Sequence, residues 1–173
     1  MKSRSRLATV TAAGLMAVGL TLTALNPAAA AGDETISGTG PLKDDWNNEG
    51  PFSRSSHSHG NAVAMWQQIL WADGYISWGD IDCRFGPTTE RATKLWQQKY
   101  VGYNEGDGVV GRKTFIAASE VGLQTSGSSA QYLGNERGRY INFYRNGAGD
   151  WVMHIGNDAK VLWWDKATFD KCS

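Results

Sequence analysis

Charge of neither sign is in excess in this chain: 17 lysines and arginines face 17 aspartates and glutamates, for a formal net charge of zero. That balance leaves no basic footprint for nucleic acid. Only two cysteines are present, Cys83 and Cys172, so one intramolecular pairing is available. Neither sits in a context resembling a cysteine hydrolase. Three histidines, His57, His59 and His154, are the only imidazoles a metal site could draw on. The chain holds no zinc-peptidase motif, Ser-His-Asp elbow, phosphate loop or dinucleotide fingerprint. Those absences remove the common enzyme classes that announce themselves by motif.

What is present begins with a secretory pattern. Lys2, Arg4 and Arg6 precede an uncharged apolar run over 7–25 and an alanine-rich stretch at 28–31. Cations, apolar segment and small residues in that order read as a signal peptide over 1–31, preferred to a membrane anchor because of its threonines and small-residue site. Its removal leaves 14 basic against 17 acidic residues, a net charge of about −3. Localisation is expected to be extracellular or cell-wall associated, with no stable membrane insertion after cleavage. In such a compartment Cys83 and Cys172 are expected to form a disulfide.

The middle of the chain repeats itself. Asp82-Cys83-Arg84-Phe85-Gly86-Pro87-Thr88-Thr89 is echoed by Asp107-Gly108-Val109-Val110-Gly111-Arg112-Lys113-Thr114, and Trp66-Gln67-Gln68 by Trp96-Gln97-Gln98. Two copies of a helix-plus-loop unit are implied. With Val63, Leu70 and Gly74-Tyr75 in front and Ala92 and Thr114 behind, the order and spacing resemble the peptidoglycan-binding domain-like family over about residues 60–119. The resemblance implies a small three-helix module, usually appended to bacterial cell-wall hydrolases, that recognises cell-wall polymer without catalysis of its own. Two departures bear on its ligand surface: Cys83 stands where the family usually has glycine, and the loop before Asp107 is slightly long.

The expected fold is therefore α+β, a three-helix peptidoglycan-binding-like module followed by a small three-stranded antiparallel β meander. Residues 32–59, rich in Gly, Ser, Asp and Asn, read as a flexible leader in which Trp46 and Phe52 could pack on a neighbour. The helical domain covers 60–121, with helices over 61–73, 87–100 and 112–120. Val63, Trp66 and Leu70 form the inward stripe of the first, and Thr89, Ala92, Thr93, Trp96 and Tyr100 that of the second. A Gly/Ser/Thr linker follows at 122–129, then a C-terminal meander over 130–173 with strands at 140–145, 151–155 and 161–165. So small a sheet needs a partner surface, and a Cys83–Cys172 bond would give it one, making one α+β unit.

Eight tryptophans suit a glycan ligand, since flat aromatic faces match the C–H faces of sugars. Trp66 and Trp96 read as core, whereas Trp71, Trp78 and Trp151 read as surface, and one of Trp163 and Trp164 faces outward. The candidate ligand-binding residues are Arg84, Gln67, Gln97, Trp71, Trp78 and Asp82. Arg84 projects from the first loop towards a stem-peptide carboxylate, while loop hydrogen bonding is the competing role for the two glutamines and Asp82. His57 and His59 read as a solvated pair rather than as metal ligands with His154, so no metal, cofactor or catalytic residue is assigned. Asp82, Glu90, Asp107, Asp150 and Asp165 fit turns and helix entries. The function expected is a secreted, non-catalytic protein that binds peptidoglycan or its stem peptide through the helices. The alternatives are a compact wall hydrolase with a site between helices and meander, and a secreted inhibitor that engages a protein partner through an aromatic meander.

Overall fold

The computed structural model describes residues 34–172, so the secretory reading of 1–31 lies outside the described residues. Three helices form: α1 over Asn61–Ala72, α2 over Pro87–Tyr100 and α3 over Arg112–Val121. Each follows a glycine in extended conformation, and Pro87 occupies the first turn of α2, where its missing N–H costs no hydrogen bond. The helix α1 is buried on nearly all sides, Trp71 being its one incompletely covered residue. A helix apolar all round belongs in the middle of a fold. Both its ends meet other backbone closely: a Cβ on Gly60 would run into the Trp164 carbonyl, and one on Gly134 into that of Ala72.

The sheet corrects the expected three-stranded meander. Five antiparallel strands run in sequence order: β1 Leu123–Ser126, β2 Ser129–Leu133, β3 Tyr140–Arg145, β4 Trp151–Ile155 and β5 Asp158–Val161. The stretch taken for a linker is β1 and the start of β2, joined through Gly127, whose φ of 58° suits a tight hairpin. These two strands are polar because their outward side chains meet solvent. Leu123, Ala130 and Tyr132 alone carry their inward pattern. The last strand is Asp158–Val161 instead of the expected 161–165, because Gly156-Asn157 closes a two-residue turn that starts the pairing at Ile155 with Asp158.

The flexible leader is corrected as well, since from Thr35 onward the segment is part of the fold. Phe52 is fully buried, with its ring centroid 5.5–6.5 Å from those of Trp66, Phe85, Phe115 and Trp164. Trp46, also fully buried, packs on Phe115, Phe143 and Trp151 and so joins α3 to the sheet. Burying two such rings outweighs the polarity of the surrounding residues. Trp151, read as a surface residue, is in this core, and its Nε1 donates to Asp45 Oδ2 at 2.8 Å.

Buried polar groups tie the layers. Asp73 accepts from Trp96 Nε1 (2.7 Å), Tyr132 Oη (2.7 Å) and both the backbone N and Nδ2 of Asn135 (3.0 and 2.7 Å). Burial and the neighbouring Asp73 carboxylate push the Tyr132 hydroxyl well above its ordinary pKa. Cys83 and Cys172 form a disulfide, with their Cα atoms 5.5 Å apart, fastening the C-terminal segment to the first repeat loop. Among the described residues no helix is long and apolar enough to cross a membrane.

Candidate functional site

The repeated sequence has a repeated physical cause. Gln67, in α1, is fully buried and its Nε2 lies 2.8 Å from Asp82 Oδ1, 3.0 Å from the Arg84 carbonyl and 3.0 Å from Thr89 Oγ1. Its Oε1 accepts the backbone N–H groups of Asp82 and Cys83 at 3.1 and 2.9 Å. Gln97, in α2, does the same one unit later: Nε2 is within 2.9 Å of Asp107 Oδ1, the Val109 carbonyl and Thr114 Oγ1, while Oε1 accepts from Gly108 N at 2.8 Å. Asp82 and Asp107 each accept the backbone N–H two residues on, at 2.9 and 2.8 Å. One buried amide per unit thus clamps a loop to the helix before it and to the first turn of the helix after it. Cys83 and Gly108 hold matching places with φ of 64° and 80°, which explains why glycine suits the position.

This clamp sorts the candidate residues. Gln67 and Gln97 are engaged inside the fold and their amides are spent there, while Asp82 is exposed with its Oδ1 held by Gln67 Nε2 and the Arg84 N–H. Arg84 is exposed at the tip of the first loop, beside the disulfide. Among the described residues its guanidinium makes no hydrogen bond or ion pair. Trp71 and Trp78 lie elsewhere, packed edge to face with centroids 4.9 Å apart at the C-terminal end of α1. Trp78 opens a one-turn 3₁₀ helix held by Asp80 Oδ2, which accepts from Ser77 N and Oγ at 2.8 and 2.7 Å. Those hydrogen bonds keep the Asp80 carboxyl below its ordinary pKa. Arg139 and Lys171 sit against the rings of Trp71 and Trp78.

The tryptophan pair borders a groove that the outer face of the sheet continues. A cavity of about 340 Å³ is lined by Trp71, Trp78, Gln68, Tyr140, Asn142 and His154. A second of about 540 Å³ shares Asn142 and His154 and runs on past Tyr144 and Gln131 to Gln124 in β1. The alternation of β3 makes this face: Ile141 and Phe143 point into the core, while Tyr140, Asn142 and Tyr144 point out. Tyr144 and His154 pack with ring centroids 5.8 Å apart, and Gln131 Nε2 donates to Asn142 Oδ1 at 2.8 Å. Of these residues the sequence reading weighed only the tryptophans and His154. The period-two pattern of 140–144 was the available signal for the rest.

His57 and His59 do not join His154. His57 Nδ1 lies 2.7 Å from Asp165 Oδ2, and His59 follows it in an extended segment bridged to Arg84. Among the described residues no group of three or more His, Cys, Asp or Glu side chains is placed to hold a metal ion. Comparison of the chain with protein-family models, with curated proteins and with solved structures finds no match.

Proposed function

We propose that this protein is secreted and binds bacterial cell-wall peptidoglycan, or its stem peptide, through the helical module without catalysing its cleavage. The observation that carries the reading is the pair of glutamine-clamped loops at matching offsets from Asp82 and Asp107. That arrangement gives a physical basis to the sequence pattern by which residues 60–119 resemble wall-binding modules. A pair of cysteines at disulfide distance is compatible with life outside the cell. On this reading Arg84, rigidly presented by its loop, pairs with a stem-peptide carboxylate.

Co-sedimentation of the purified, oxidised protein with insoluble peptidoglycan tests it, with the supernatant assayed for released fragments. Retention without release is expected, reduced at least fivefold by Arg84→Ala. Absence of retention at every ionic strength refutes wall binding, and soluble muropeptides in the supernatant refute the non-catalytic assignment.

A further inference from the structure

We infer that the groove between the Trp71–Trp78 pair and the outer face of the sheet is a second binding site, for an uncharged glycan chain of N-acetylated sugars. It does not rest on the wall-binding reading.

The first argument is charge. Charged residues make up 20% of the chain, yet among the described residues no Asp, Glu, Lys or Arg lines either cavity of the groove. Arg139 and Lys171 lie against the Trp71 and Trp78 rings, 5.1 and 5.3 Å from their centroids, and are not themselves among the lining residues. A surface that recognised phosphate, carboxylate or ammonium groups would carry opposite charge. This one presents amides, hydroxyls and rings.

The second argument is shape. Trp78, Tyr140 and Tyr144 are 41, 53 and 38% exposed, and all three border the groove. The groove runs from β4 to β1, three inter-strand spacings of about 4.8 Å, before the tryptophan end is added. It accommodates an oligomer rather than a single sugar. Most of it lies on the face of the sheet, over β2 to β4, which pair with a strand on both sides, and only its far end reaches the edge strand β1. An extended peptide gains its affinity from a free strand edge. A glycan needs only side chains, rings for its C–H faces and amides for its rim.

The third argument is an unmet acceptor. Gln68 is only 2% exposed and lines the tryptophan end of the groove. Its Nε2 reaches only the thioether of Met153, at 3.2 Å, and its Oε1 accepts no hydrogen bond from the described residues. The only buried side-chain atoms without a partner among the described residues are Trp46 Nε1 and His59 Nε2, so this oxygen is open to the groove and free to take a donor. The N–H of an N-acetyl group supplies that donor, while Gln131 and Asn142, already paired, offer the opposite amide atoms further along.

Titration of the full oxidised protein with a tetrasaccharide of N-acetylglucosamine and with one of glucose, read by calorimetry, tests the inference. The N-acetylated chain is expected to bind at least tenfold more tightly, with an affinity that does not change between low and high salt. Trp78→Ala and Tyr140→Ala, both exposed positions, should each weaken it by about tenfold. Gln68→Leu should erase the preference over glucose, and Arg84→Ala should leave the affinity unchanged. No binding of either tetrasaccharide, equal binding of both, or affinity indifferent to the two aromatic substitutions overturns the site. If the tetrasaccharide fails while sedimentation with peptidoglycan persists, this inference falls and the wall-binding reading stands.

Discussion

Replacing Gln67 by alanine removes the clamp of the first repeat. The backbone N–H of Cys83 is then left in a buried position without an acceptor, and that of Asp82 in a partly buried one. A stranded buried group costs about 1–3 kcal/mol, and each partly buried hydrogen bond lost about 0.5–1.5 kcal/mol. With Thr89 Oγ1 and the Arg84 carbonyl also losing their donor, the sum is about 2.5–7.5 kcal/mol. That is a large share of the roughly 5–15 kcal/mol typical of a domain. Gln97→Ala strands one backbone N–H, that of Gly108, instead of two, so about 2–6 kcal/mol is expected there. Urea denaturation followed by tryptophan fluorescence measures both, with the slope against denaturant unchanged from wild type. A sharper variant is Gln67→Glu, which keeps the acceptor but turns a carboxylate oxygen towards Asp82 Oδ1, now 2.8 Å from the amide nitrogen. It should be as destabilising as the alanine variant at neutral pH and be substantially rescued by Asp82→Asn. A loss below about 1 kcal/mol for Gln67→Ala, or a Gln97→Ala loss exceeding it, would refute the clamp as the reason for the repeat.

The remaining predictions concern the two other ties of the fold. The oxidised protein should show no free thiol, and reducing the Cys83–Cys172 bond should destabilise it by up to about 4–5 kcal/mol, the chain-entropy value for a separation of 89 residues. Two titratable thiols in the native protein would contradict that. Tyr132 titrates above its ordinary value in the folded state and near pH 10 when unfolded, so its contribution is fully present below about pH 10. Above that pH the unfolded chain binds fewer protons than the folded one, and stability falls by about 1.4 kcal/mol per pH unit from this group. Tyr132→Phe should be weaker at neutral pH, having lost its bond to Asp73, yet fall less steeply above pH 10 in thermal melts taken as a pH series. Identical alkaline slopes for the two proteins would show that Tyr132 is not the group responsible.

The helical half was legible from the sequence because its signals are local. Apolar spacing at 63, 66 and 70 and at 92, 93 and 96, the proline opening α2 and the glycines before each helix all act within a few residues. The paired phrases marked the two loops for the same reason, since the side chain of Gln67 or Gln97 can reach only a loop that returns to its own helix. Much else depended on contacts across the chain. Trp46 and Phe52 stand in a polar stretch, and only the proximity of Phe115, Trp151 and Trp66 turns that stretch into core. Strands β1 and β2 carry three inward side chains between them, too few for a pattern, and are fixed by pairing with β3. The sequence by itself determined which segments coil into helices, and it offered Gln67, Gln97, Asp82, Arg84, Trp71 and Trp78 as candidates for a ligand. Tertiary structure alone decided that two of those glutamines are inside, that Trp71 and Trp78 meet Tyr140, Asn142 and His154 in one groove, and that Arg84 stands apart. Periodicity reports which face of an element is buried, but only packing brings the exposed faces of distant elements together.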